Sequence, residues 1–374
     1  MGSPHHEAPV TLGYKPALDG LRAVAIAAVV LYHTGGLVPG GYLGVDLFFV
    51  LSGFLITTLL LDERAERGTV SLTSFYRRRA FRLLPALFCL LVFFVIVSLV
   101  RAVAKGDGLE RDLFGVAAGI GYFSNLAMMS EPGTRAMPEE LRHLWSLASE
   151  EQFYLLWPPI LFLAFRVRTR LALGAVAALV ALMTLRGLQL YLDGASWQRL
   201  GFGIDTRSVS ILVGCLLALT LALPRRYRLP SSTWLEAVAL SVVLGFVLVD
   251  WGRALFLGPL LAFGVCCAVL IVRALDEESL LAGLLSFGAL VFLGRISYSL
   301  YLWHLPVFVA LGVSRQEFEP VAVPALAIAV VLATASYYFV ELPFLRRKRR
   351  SRPEADEAVA QPVPRSMKLA KSAA

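Results

Sequence analysis

Asp19, Arg22 and His33 fall within one apolar run near the N-terminus, spaced by 3 and 11 residues. At about 100° per helical residue, these spacings put all three on one narrow face, with Ile26 between them. Charged groups inside an apolar span are costly, so such a stripe is expected to line a buried polar surface rather than face lipid. An imidazole there can take a proton from a hydroxyl, and a guanidinium can hold an anion or a developing oxyanion. On position alone, His33 is equally well read as a hydrogen-bonded histidine at a helix end. Its neighbourhood adds weight to chemistry. Gly35, Gly36, Gly40, Gly41 and Gly44 follow it and suit a tight hairpin with close helix packing. Asp46 then enters the next apolar run at the depth where His33 leaves the first. A carboxylate and an imidazole are therefore expected to meet, the pairing that orients a general base.

A second acidic group, Glu150 and Glu151, lies in the run from His143 to Pro158. Neighbours on a helix point about 100° apart, so only one of the two is expected to face a given cavity squarely. Glu151 shares a face with Tyr154, three residues on. The alternative is that both acids sit at an interface, with Trp145 as a belt residue. The segment Phe75 to Pro85 carries Arg77, Arg78, Arg79 and Arg82. Such a cluster can serve as a topogenic signal alone. However, Arg79 and Arg82 share a helical face, and Arg82 already lies within apolar sequence, where a guanidinium calls for an anionic partner. Phosphates of a cytoplasmic cofactor would serve. Near the C-terminus, Tyr301 and His304 stand one turn apart beside Pro306, which loosens the helix. Hydrogen bonds to a neighbouring helix account for that pair as readily as chemistry does.

The elements that must hold these residues are membrane helices. Hydrophobic residues make up 57% of the 374, the mean hydropathy is +0.70, and only 17% are charged, beyond what a globular domain can bury. Runs such as Ala86 to Val100 are apolar on every side, which excludes the alternating strands of a barrel. The fold class expected is all-α, a polytopic transmembrane bundle of about ten spans. They fall near residues 17–34, 43–61, 81–103, 145–165, 171–190, 207–223, 234–250, 253–272, 289–311 and 320–344. The stretch Leu113 to Met129, broken by Gly115, Gly119, Gly121 and Asn125, is read as interfacial or re-entrant.

Basic clusters at Arg77–Arg82, at Arg166, Arg168 and Arg170, at Arg225, Arg226 and Arg228, and at Arg346–Arg350 then all share the side of the N-terminus. The positive-inside rule makes that side, and both termini, cytoplasmic. Orientation and anionic headgroups account for the net charge of +8 without a nucleic-acid partner. Cys89, Cys215, Cys266 and Cys267 lie inside apolar runs, so neither disulfides nor a metal site is expected. Residues 1–14 are polar, without a basic region followed by a cleavage site, so no removable signal peptide is expected. Residues 348–374, rich in Ala, Glu, Pro and Ser, read as a disordered cytoplasmic tail, with no soluble catalytic domain attached. A proton-coupled secondary transporter could use the same intramembrane residues and is the rival reading, although no internal repeat is evident.

Together these segments resemble the acyltransferase family 3 integral membrane O-acyltransferases, from about Lys15 to Arg347. The family's arginine, ten residues, histidine pattern is met by Arg22 and His33, and its Arg-x-x-Arg by Arg79 and Arg82. Its Glu-x-x-Tyr is met by Glu151 and Tyr154, and Gly44 to Phe54 carries Gly-Val-Asp-x-Phe-Phe-x-x-Ser-Gly-Phe. The resemblance implies a membrane domain over 15–347 in a bacterial cytoplasmic membrane, taking acyl-CoA, foremost acetyl-CoA, from the cytoplasm. The acceptor it implies is a hydroxyl of a glycan, a glycolipid or a small metabolite such as a macrolide. Some members carry a fused periplasmic esterase-like domain; this sequence looks like the stand-alone form. On this resemblance His33 is the base on the acceptor hydroxyl or a transient acyl carrier, with Asp46, Glu151 or Glu150 setting its basicity. Arg22 would stabilise the thioester or the oxyanion. Arg79 and Arg82, with Arg78 and Arg77, would grip CoA phosphates, while Asp19, Tyr154, Tyr301 and His304 support. The acids and the imidazole are expected in the outer half and the donor arginines in the inner half. Association into a homo-oligomer stays open.

Overall fold

The computed structural model describes residues 13–106, 108–164, 169–223 and 232–350. Arg166, Arg168, Arg225, Arg226 and Arg228, residues 1–12 and the segment beyond 350 lie outside them. Every regular element among the described residues is helical. The first three helices are α1 (Pro16–His33), α2 (Gly44–Arg67) and α3 (Leu72–Lys105). Three short helices follow, α4 (Glu110–Ile120), α5 (Ser124–Met128) and α6 (Glu131–Ala136). Next come α7 (Leu144–Ala164), α8 (Thr169–Leu192), the six-residue α9 (Trp197–Phe202), α10 (Ile204–Leu221), α11 (Thr233–Val247) and α12 (Pro259–Leu275). The last are α13 (Leu280–Leu285), α14 (Gly288–Arg295), α15 (Ser297–Ala310), α16 (Ala322–Ser336) and α17 (Leu342–Arg350).

Among the described residues, six helical stretches are long and apolar enough to cross a membrane: Pro16–His33, Gly41–Arg67, Leu72–Lys105, Arg170–Leu192, Trp197–Leu221 and Ala322–Arg346. Shorter apolar helices, Thr233–Val247 and Pro259–Leu275, pack among them. This is the build of a multi-pass membrane protein. α3 is the longest, and its 34 residues rise about 51 Å against a hydrocarbon thickness of about 30 Å. Its extra turns at the N-terminal end carry the arginine cluster. Ser71 starts it by accepting a hydrogen bond from the Ser74 amide, and Gly68, at φ 72°, ends α2 just before.

Close backbone contacts set the layout. A Cβ on Gly53 would lie 1.9 Å from the Ile211 carbonyl oxygen, and one on Gly214 would lie 2.0 Å from that of Val50, so α2 and α10 touch backbone to backbone. Asp46 and Arg207, each near the start of its helix, pair at 3.0 Å, so the two helices run parallel. The same device clamps α1: Gly20 meets the Leu285 carbonyl and Gly294 meets that of Asp19.

Several expected spans are interrupted. The stretch 289–311 breaks at Ile296, whose ψ of 1° is not helical, so α14 ends there, against α1, and α15 begins one residue later. The stretch 253–272 opens with a 3₁₀ turn (Gly252–Leu257) and bends at Gly258, φ 138°, before Pro259 starts α12. Within 320–344, a π-helical turn (Tyr337–Glu341) separates α16 from α17. The stretch 113–129 forms helices of 11 and 5 residues, α4 and α5, split at Tyr122, whose φ is 51°. Neither approaches the roughly 20 residues of a crossing.

Candidate active site

A cavity of about 430 Å³ opens between α1, α2, α3, α7, α15 and the π turn. It is lined by Arg22, Arg79, Arg82 and Arg295 and by Asp19, Glu150, Glu151 and Glu341, among apolar Val45, Phe48, Phe49 and Leu55. The charges are not evenly matched. Arg79 Nη2 donates to Glu151 Oε1 at 3.0 Å, and its guanidinium lies 3.6 Å over the Tyr154 ring. That arginine is locked. Among the described residues, Arg22 pairs only with Asp19, at 3.8 Å, and Arg82 forms no ion pair. The charges of Arg22 and Arg79 bear on Arg82, with Glu341 the opposing carboxylate. Two under-compensated guanidiniums in one chamber have the chemistry to receive a phosphate or carboxylate.

The carboxylates are held just as firmly. Glu150 accepts from the hydroxyls of Ser52 and Tyr154. Glu341 accepts from Ser299 and is aimed inward by the π turn, the kind of local widening that redirects one side chain. Tyr122 reaches the cavity from the α4–α5 junction. Its carbonyl accepts from Gln152 Nε2 at 2.7 Å, and Gln152 exchanges amide hydrogen bonds with Asn125. These contacts tie an otherwise unfavourable left-handed residue to α7. Tyr298 donates to the Leu83 carbonyl at 2.9 Å, fixing α15 to α3 beside Arg82.

Toward the His33 end of α1, the wall is Ser146 and Tyr301. Their hydroxyls are 2.6 Å apart, and Tyr301 donates to the His143 carbonyl at 2.7 Å. Beyond them lie three imidazoles. The His304 ring centroid is 5.2 Å from that of His33 and 5.5 Å from that of His143. His33 Nδ1 lies 2.8 Å from the Val29 carbonyl, which can only accept, so the neutral ring carries its proton on Nδ1 and leaves Nε2 as a base.

The sequence pattern of the acyltransferase domain that defines acyltransferase 3 proteins matches residues 15–339. The chain belongs to the acyltransferase 3 family. It is 35% identical over 359 residues to "Putative peptidoglycan O-acetyltransferase YrhL" of Bacillus subtilis, covering 90% of this chain and 56% of that one. It is 33% identical over 353 residues to "Peptidoglycan O-acetyltransferase OatA" of Listeria monocytogenes, covering 88% and 56%. The chain thus spans a little over half the length of the curated relatives it matches. No solved structure matches it. Membership in acyltransferase family 3 favours acyl transfer over transport as the use of the site.

Within this acyltransferase 3 chain, the expected residues divide between two places. Asp19, Arg22, Arg79, Arg82, Glu150, Glu151 and Tyr301 line the cavity, and Tyr154 braces it from behind. Both glutamates reach it, because the cavity wraps around α7 instead of lying on one side. Arg78 instead pairs with Glu63 at 2.9 Å, and Arg77 points to the exposed side of α3; neither lines the cavity. The expected meeting of Asp46 and His33 does not occur. Asp46 is fully buried between Arg207 Nη2, at 3.0 Å, and Ser210 Oγ, at 2.9 Å. The acids, expected in the half that holds His33, share the chamber with the arginines instead, since α3 and α7 run in opposite directions and cross there. His33 stands apart, next to His304. His143, Glu341, Ser52 and Arg207 escaped the sequence reading. The signal for His143 was its place directly before the Trp145–Glu151 run; for Arg207 it was a lone cation opening an apolar span.

Proposed function

We propose that this protein is a membrane O-acyltransferase that moves an acetyl or other short acyl group from cytoplasmic acyl-CoA to a hydroxyl of a glycan or of a small metabolite such as a macrolide. The observation that carries this reading is the pairing, on one helix, of an under-compensated guanidinium at Arg22 with an imidazole base at His33. They are eleven residues apart, about 16 Å along the axis. Arg82 and Arg22 hold donor phosphates at one end, and a slender thioester arm extends toward His33. His33 Nε2 takes the proton of the acceptor hydroxyl as its oxygen attacks the thioester carbonyl carbon. The C–S bond then breaks, and the thiolate leaves with a proton. Peptidoglycan, named for the relatives, is the first glycan to try.

We read ten passes: α1, α2, α3, α7, α8, α10, α11, α12, α14 with α15, and α16 with α17. The arginine-lined end faces the cytoplasm of a bacterium, in its cytoplasmic membrane. The test uses membranes containing the protein, labelled acetyl-CoA and a panel of acceptors. Transfer is expected to fall by roughly 10²–10⁴-fold in His33→Ala, and donor binding is expected to weaken in Arg82→Ala. Undiminished transfer by well-expressed His33→Ala sinks the base assignment. Undiminished donor binding by Arg82→Ala sinks the donor assignment.

A further inference from the structure

We propose that His143 and His304 are proton-handling partners of His33, so that the hydroxyl proton enters a cluster of three imidazoles rather than a single ring. The proposal rests on the acyl-transfer reading above. His33 ends α1, His143 precedes α7 and His304 sits within α15, so three separate elements bring the rings together. His304 Nδ1 lies 2.7 Å from the Tyr301 carbonyl and 3.2 Å from that of Leu300, which makes its Nε2 a lone-pair acceptor, as in His33. Among the described residues, that Nε2 and both ring nitrogens of His143 are buried without a hydrogen-bond partner. The Leu302 carbonyl bears on the His143 ring without completing a hydrogen bond. A buried nitrogen left in that state is costly to folding, and three of them in one cluster beside a candidate base point to use in the reaction.

His143 differs from the other two because neither of its nitrogens is committed. It can accept a proton on one and release a proton from the other. Its backbone is clamped from the chamber side by Tyr301, whose hydroxyl in turn meets Ser146. Arg315 is the charged group that bears on all three rings, and it is itself paired with Glu139 at 3.3 Å. Tyr32 meets His33 edge-on at 4.9 Å, and Tyr301 packs against both His143 and His304. No carboxylate forms an ion pair with any of the three among the described residues, so a proton arriving on one ring is shared with neutral imidazoles. In the reaction, the acceptor O–H bond breaks as the new O–C bond forms, and the proton passes to His33 Nε2. From there it exchanges onto His304 Nε2 or His143. It leaves to the sulfur of the departing thiolate when the C–S bond has broken.

The test measures acyl transfer, donor binding and the pH profile of kcat in membranes bearing His143→Gln, His304→Gln and the double variant. The expected result is a loss of roughly 10²-fold in kcat for His143→Gln, with donor binding retained and the pH profile displaced. The double variant should lose little more than the worse single one, because the rings act as a unit. Retained donor binding certifies folding. A variant that does not accumulate is replaced by His143→Asn, read the same way. Wild-type kcat in His143→Gln overturns the proposal, and so does a lower kcat with an unchanged pH profile, which a purely structural role would give. Absence of any transfer by the wild-type protein would instead overturn the acyl-transfer reading.

Discussion

Arg207 and Arg82 are both arginines inside the helical bundle, yet their surroundings give them opposite duties. Arg207 is 2% exposed, pairs with a fully buried Asp46 and lies 5.1 Å from the Trp145 ring. Removing it strands a carboxylate, which costs about 3–5 kcal/mol. Arg207→Ala is therefore expected to unfold at a markedly lower temperature in detergent, and an unchanged unfolding temperature would contradict that role. Arg82 lines the chamber against like charges, so Arg82→Ala should lose donor affinity without losing stability. Scanning calorimetry on the two variants side by side separates the duties. The arginines and acids of the site were legible as types: Arg22, Arg79, Arg82, Glu150 and Glu151 stood out because they interrupt apolar sequence. Their pairing was not. Asp46 was matched to His33 by depth alone, and depth is shared by every helix that starts at that end. Its actual partners arrive from α10, with Ser210 164 residues away.

Helix contacts without side chains govern the next scale. Where α2 crosses α10, a methyl on Gly53 or Gly214 would strike a backbone carbonyl, which no rotamer change can relieve. Gly53→Ala and Gly214→Ala should each sharply reduce the folded fraction recovered in a fluorescence size-exclusion profile. Gly174→Ala in α8, with nothing within 4 Å of the added methyl, should be neutral or stabilising by about 0.5–1 kcal/mol. Equal profiles for all three would refute the backbone contact. Hydropathy placed the start of α1 closely, at residue 17 against Pro16, but placed that of α3 at 81 where the helix begins at Leu72, because the polar arginine turns continue the helix without being apolar. It could not locate the interruptions. The break at Ile296 and the π turn at Tyr337–Glu341 depend on what packs across from them, and apolar sequence reads the same on either side of a bend.

Across the whole molecule, the arginine chamber lies at the end where α1 starts and the imidazoles at the end where it stops. Orientation can be tested with Arg67→Cys, at the end of α2, and Lys105→Cys, at the end of α3, after the four native cysteines have been replaced. A membrane-impermeant maleimide added to intact cells is expected to label the second and spare the first. The reverse pattern would invert the assigned sides. Because α1 is one unbroken 18-residue helix clamped at Gly20 against Leu285, the separation of Arg22 from His33 cannot flex. That rigidity makes α1 a caliper. If acyl transfer runs as proposed, a donor would be gauged by its span from anionic head to thioester before its acyl group is judged at all. A thioester without the long arm would carry the right reactive bond and still fall short of the base.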